Sequence, residues 1–137
     1  YLKLRKTFFV DGLGWDIPHN ADVEMEQYDN PCAHYSLVVR NGRVFGGARV
    51  MPTTATWGRH TYMLRDAIRG QLEQIPPQVM PSDVATDAVW ECTRLVVSDC
   101  VTSHGERSQC LSMIVAGLVG VAHAHGASEL MSLSPLP

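Results

Sequence analysis

Trp90-Glu91-Cys92-Thr93-Arg94-Leu95-Val96-Val97 decides how this chain folds. Its Trp, Cys, Leu and Val residues predict a buried β-strand over Val89–Val97, yet the run also carries a carboxylate and a guanidinium. Burying either charge alone is expensive. Glu91 and Arg94 therefore require charged or hydrogen-bonding partners elsewhere in the chain, and buried ionisable clusters mark functional sites more often than surfaces.

Working outward, Asn41-Gly42 sits between two apolar-rich runs, Tyr35–Arg40 and Arg43–Met51, and supplies the positive φ angles of a type I′ hairpin. Residues 1–10 have the pattern of the last turns of an amphipathic helix, with Asp11-Gly12 as its stop. Residues 14–32 form a long connection rich in acids and aromatics (Trp15, Asp22, Glu24, Glu26, Tyr28, Asp29), and loops of this length inside compact domains usually carry function. A helix is expected over 61–74, opened by Thr61 and ended by Pro76-Pro77. After the charged strand, Leu111, Ile114, Val115, Leu118, Val121 and Ala122 recur at helical spacing within 106–125, and Gly126 closes that helix. A short strand over 129–134 follows. The order helix, hairpin, helix, strand, helix, strand predicts an α/β layer structure with an antiparallel start and a strand–helix–strand finish, hence a mixed sheet.

Length and composition are those of one globular domain: 137 residues, 45% hydrophobic and 18% charged. A net charge of −3 and the lack of a basic run argue against nucleic-acid binding. No apolar run reaches the ~18 residues of a membrane helix, and no signal peptide opens the sequence. Cys32, Cys92, Cys100 and Cys110 form no CxxC pair, which predicts free thiols and a reducing cytoplasm. His123 and His125, two apart on a helix, face different directions and make a poor metal pair, so no metal site is expected. Gly46-Gly47 lacks the strand-to-helix context of a phosphate loop. Cys92 has no histidine fixed beside it and is expected to be a small buried strand residue.

Four blocks in order carry a family likeness: Arg5-x-x-x-Phe9 with Leu13-Gly14-Trp15, then Glu26-x-x-Asp29, then Gly46-Gly47-Ala48-Arg49-Val50-Met51-Pro52-Thr53, then Trp90 to Val97. Together they resemble the acyl-homoserine-lactone synthases of bacterial quorum sensing, the LuxI-type autoinducer synthases. Two positions depart from the family pattern: the first acid of the acidic pair is Glu26 where Asp is usual, and Ile68 stands where an aromatic is usual. The resemblance implies a three-layer α/β/α sandwich of the N-acetyltransferase (GNAT-like) kind, formed by a single catalytic domain over 1–137 that looks truncated at both ends. It implies a cytoplasmic bacterial enzyme that takes an acyl thioester from acyl carrier protein, joins it to the amine of S-adenosylmethionine and closes the lactone, releasing methylthioadenosine. S-adenosylmethionine is then a substrate, and no cofactor, nucleic acid or membrane is involved.

That chemistry needs a base for the amine, aromatic faces for the sulfonium cation, donors for the thioester oxyanion and an apolar tunnel for the chain. On the matching positions, Glu91 is the candidate base, its pKa raised by burial on the strand, with Arg94 and Asp29 beside it as catalytic partners. The plainer reading is that Glu91 only neutralises Arg94 or Arg49. Phe9 and Trp15 would wall the adenosylmethionine pocket. Arg5, Glu26, Asp29, Arg49 and Arg94 would interlock and order loop 14–32 over the site. Val50, Met51, Val79, Met113, Leu118, Met131 and Leu133 are candidates for the acyl tunnel, and Arg65, Arg69 and Arg107 for docking an acidic carrier protein. Two other readings stay open, an N-acyltransferase using acyl-CoA and a non-catalytic module that senses adenosylmethionine or acyl chains.

Overall fold

The structure, a computed structural model, describes residues 1–134. Helix α1 (Leu2–Arg5) runs into a widened π-helical stretch, Lys6–Gly12. The expected stop at Gly12 lies two residues further on. Gly14 takes φ +67°, and Leu13, Gly14 and Trp15 donate their N–H groups to the Phe8, Val10 and Phe9 carbonyls. The π-turn keeps Arg5 and Phe9 on the buried side while the chain swings Trp15 back over Phe9.

Strands β1 (His34–Arg40) and β2 (Arg43–Pro52) form the expected hairpin, with Asn41 and Gly42 at φ +52° and +73°. Helix α2 (Met63–Ile68) is shorter than predicted. Gly70, at φ +71°, and Gln71 donate to the Ala67 and Asp66 carbonyls, a Schellman cap that ends the helix well before Pro76. Strand β3 (Val89–Val97) is followed by helix α3 (His104–Ala124), whose start is capped by Ser103 Oγ accepting the Glu106 N–H. Gly126 closes α3 with a second Schellman cap, and β4 (Glu129–Ser132) follows.

The sheet order is β1-β2-β3-β4, antiparallel up to β3 and parallel between β3 and β4, which is the mixed sheet expected. Its two faces bury different cores. Ala48, Val50, Trp90 and Val97 meet Cys110, Ile114, Leu118 and Ala122 of α3 on one side, while Met51 meets Tyr28, Tyr62, Met63 and Leu64 on the other. Helices thus cover both faces, giving the three-layer α/β/α sandwich. Leu111, Met113, Val115 and Val119 of α3 face outward instead of joining the core.

Gly46-Gly47 has a packing role. A Cβ at Gly46 would lie 2.9 Å from Cys110 Sγ, Ile114 Cδ1 and the Val96 carbonyl oxygen, and one at Gly47 would lie 2.9 Å from the Ser36 carbonyl oxygen. The glycines let α3 and the neighbouring strands approach the sheet closely. Gly46→Ala is therefore expected to lower stability by about 1–3 kcal/mol through overpacking, seen as a reduced denaturant midpoint with an unchanged m-value.

Candidate active site

On the face of the sheet opposite α3, α1, loop 13–33, β2 and β3 bring six charges together. Arg5 is fully buried and makes two bidentate contacts: Nε and Nη2 donate to Glu24 (2.5 and 2.7 Å), Nη1 and Nη2 to Asp29 (2.6 and 2.9 Å). Arg49 Nη2 donates to Glu26 Oε1 at 2.7 Å, and its Nη1 faces Asp29 Oδ1 at 3.0 Å. Arg94 Nη2 donates to Glu26 Oε2 at 2.8 Å, while its Nε lies 3.6 Å from Glu24. Three guanidiniums thus balance three carboxylates in a cluster almost closed to water. Arg49 Nη1 and Arg94 Nε are buried without a hydrogen bond, so electrostatic attraction alone holds these two atoms to their acids.

Burial alone would raise the Asp29 pKa, but the Arg5 hydrogen bonds and the Arg49 charge outweigh it and hold the carboxyl well below the usual carboxylate range. Tyr35 donates its hydroxyl to Asp29 at 2.9 Å, and burial beside this anion pushes its pKa up to about 12. Glu24, fully buried on Arg5, is the member that motif spacing missed. Its signal was the alternation Asp22-x-Glu24-x-Glu26 in a loop that must partner buried arginines.

Arg94 reaches the cluster through a β-bulge. Gly47 faces Val96 while Arg49 faces Thr93, so β3 uses three steps where β2 uses two, and Arg94 takes φ +57°. The bulge turns its guanidinium over the rings of Phe9 and Trp15, 5.5 and 5.8 Å from their centroids. Those two rings stack with centroids 4.8 Å apart; Phe9 is buried and Trp15 is 39% exposed. The aromatic wall therefore already attracts a cation, and Trp15 keeps an accessible surface.

Glu91 does not pair with an arginine, contrary to the plainer reading. Its carboxylate, 1% exposed, accepts the N–H groups of Met63 (3.0 Å) and Leu64 (2.8 Å) and so caps α2 from the neighbouring strand. The expected cap, Thr61, instead donates its N–H and hydroxyl to Asp66. Burial pushes the Glu91 pKa up to about 7, against the two amides and Arg49, which favour the anion. Among the described residues it is a fully buried carboxylate with no Arg, Lys or His side chain in contact with it.

The expected acyl tunnel is divided by the sheet. Met51, Val79 and Met131 gather on the Glu91 side, whereas Val50 and Leu118 lie in the α3 core, because adjacent strand residues point to opposite faces. Met113, 54% exposed on the outer face of α3, and Leu133, also exposed, line no part of the charged site. A cleft of about 410 Å³ opens instead between Leu95, Val96 and Val97 of β3, Phe8, and His104, Arg107, Ser108 and Leu111 of α3. It forms where β4, paired with β3 only over Val89–Cys92, leaves the rest of β3. Arg65 and Arg69 are engaged with Asp83, and Arg107 Nη1 donates to the Ser98 and Val101 carbonyls. Burial pushes the Cys92 thiol up to about 11, which leaves it inert at neutral pH.

A family model described as autoinducer synthase matches residues 1–136 of this chain. The chain belongs to the autoinducer synthase family. An acyl-homoserine-lactone synthase from Acinetobacter nosocomialis is 30% identical over 96% of this chain and 69% of its own length. Among solved structures, that of TofI in a ternary complex with an inhibitor and MTA superposes with a TM-score of 0.71 at 25% identity, covering 96% of this chain and 61% of TofI. BjaI, described as a CoA-dependent acyl-homoserine lactone synthase and solved with SAM and isopentyl-CoA, shares the fold with a TM-score of 0.68 at 19% identity, over 96% of this chain and 56% of BjaI. This autoinducer synthase chain thus spans roughly two thirds of the relatives it matches, or less. Among the described residues no helix is long and apolar enough to cross a membrane.

Proposed function

We propose that this chain carries the acyl-transfer centre of an acyl-homoserine-lactone synthase. The amine of S-adenosylmethionine attacks the carbonyl of an acyl thioester, forming the amide C–N bond and expelling the thiol. The substrate carboxylate then attacks the carbon next to sulfur, closing the lactone and releasing methylthioadenosine. Glu91 carries this reading: a carboxylate without a cationic partner, whose pKa of about 7 suits it to take the ammonium proton, directly or through water. The six-charge cluster anchors loop 13–33 over the sheet, and the Phe9–Trp15 pair, already attractive to a guanidinium, offers a face to the sulfonium. The MTA bound to TofI accords with this product.

Carrier protein is favoured over CoA as the donor by the start of α3. A pyrophosphate there would need free N–H groups, but Ser103 Oγ already takes the Glu106 N–H, the Glu106 side chain adds a negative charge, and Arg107 is turned onto backbone carbonyls. BjaI makes CoA the second reading. Organic extracts of cells expressing the full-length protein, analysed by mass spectrometry, are expected to contain N-acyl-homoserine lactones. The purified protein is expected to turn over acyl carrier protein thioesters faster than the matching CoA thioesters. Absence of lactone with both donors would leave a binding module as the correct reading.

Trp15→Ala tests the aromatic wall. Trp15 is partly exposed on a loop, so its loss should spare the fold while weakening S-adenosylmethionine binding by roughly 2- to 30-fold, the range of a cation–π contact. Calorimetry showing unchanged affinity would remove it from the site.

A further inference from the structure

His125 finds its partner in His34, on a distant strand, and not in the nearby His123. The ring centroids of His34 and His125 are 4.9 Å apart with their planes at 57°, and the Trp90 ring lies 5.3 Å from each. His125 Nδ1 is 2.8 Å from the Val121 carbonyl oxygen, so Nδ1 is the donor there and, in the neutral ring, the lone pair lies on Nε2. A backbone carbonyl fixing the tautomer in this way is the usual support of a metal-ligating histidine. Two imidazole nitrogens sharing a tetrahedral ion at ~2.0–2.1 Å would bring their ring centroids about 5 Å apart, the separation seen here.

The surroundings also favour a cation. His125 is the C-cap of the 21-residue helix α3, where the last carbonyls present the negative end of the helix dipole. Burial, and then the proximity of His125, lowers the His34 pKa, which keeps its imidazole neutral and able to ligate. His125 is exposed and His34 half-buried, so solvent can reach the pair.

We propose that His34 and His125 form a two-imidazole site for a borderline divalent transition-metal ion such as Zn²⁺, Cu²⁺ or Ni²⁺, seated beside Trp90, with water completing the coordination. Nitrogen ligands select such ions over Mg²⁺ and Ca²⁺, which require oxygen. The ion would clip the start of β1 to the end of α3, two elements joined far apart in sequence.

The test is a Zn²⁺ titration of the metal-free protein followed through the ring ¹⁵N resonances of its histidines. The His34 and His125 signals are expected to shift together, saturating at one ion per chain and at a Zn²⁺ concentration at least tenfold below that which moves exposed His123 on the same helix. Replacing either residue (His34→Gln or His125→Gln) should raise the midpoint for the other at least tenfold, with the circular dichroism spectrum of the metal-free protein unchanged. Two rings that titrate independently, or in step with His123, would show adventitious binding only and overturn the proposal. Reading each ring separately keeps Zn²⁺ capture by the free cysteines from mimicking the result.

Discussion

Glu91→Gln is expected to slow acyl transfer by ~10²–10⁴, the usual contribution of a positioned general base, and to remove the rise in single-turnover rate as pH passes through about 7. The wild-type rate climbs there because only the deprotonated carboxylate can take the ammonium proton. Raising the pH should restore part of the variant's rate, since more of the substrate amine is then neutral. The substitution is not silent in the fold. Glu91 accepts two α2 amides, and a glutamine amide offers them one oxygen and an N–H₂ that cannot accept, so about 1–3 kcal/mol of stability should also be lost. The two roles separate on a per-folded-molecule basis: a purely structural Glu91 would lower the melting temperature while leaving the rate and its pH dependence intact.

Arg5→Ala should cost on the order of 3–5 kcal/mol, because it strands Glu24 and Asp29 in a site closed to water. For a chain of this size that corresponds to roughly 10–17 °C in melting temperature. Adding Glu24→Gln to Arg5→Ala should recover part of the loss, since one stranded charge is neutralised. If the double variant melts below Arg5→Ala by the full cost of Glu24→Gln measured alone, the groups act independently and the cluster is not a unit.

The two acids pull stability in opposite directions with pH. Asp29 has a folded pKa below its ordinary 3.8, so its contribution is present above that value and is lost as pH falls through the folded pKa. Glu91 has its pKa raised from 4.5 to about 7, so its contribution is complete below 4.5 and is lost as pH rises through 7. The protein should therefore be most stable on the acid side of the pH at which it works fastest.

The strand Val89–Val97 and the Asn41-Gly42 hairpin were legible because alternation and turn chemistry are local, and the need for partners around Arg94 was legible because a buried charge has few solutions. The identity of those partners was only partly so. Glu24 fell outside the recognised spacing, and Glu91 turned out to hold a helix start, a role set by how α2 docks and not by any neighbour in sequence. Helix α2 is shorter than its sequence pattern because Gly70 caps it six residues before the prolines that also signal a stop. The π-turn at Lys6–Gly12 leaves no period distinguishable from an ordinary helix over so few residues. Val50 and Met51 share an apolar character, but a strand sends them to opposite faces, and Met113 lies on a helix whose outer face also carries Leu111, Val115 and Val119, so residue type does not distinguish its buried side.

The charge cluster also bears on the order of folding. Its ion pairs join residues 19 to 70 positions apart and draw on α1, the loop, β2 and β3, so the complete cluster cannot close until the β2–β3 ladder, bulge included, is in register. Ions shed water late, because the attraction that offsets dehydration exists only once all the partners have arrived. The hairpin and α3 should therefore dominate the folding nucleus, with residues 1–33 docking after the rate-limiting step. Substitutions in the cluster would then speed unfolding far more than they slow folding, which makes the lifetime of the native state, more than the ease of reaching it, the quantity these six side chains control.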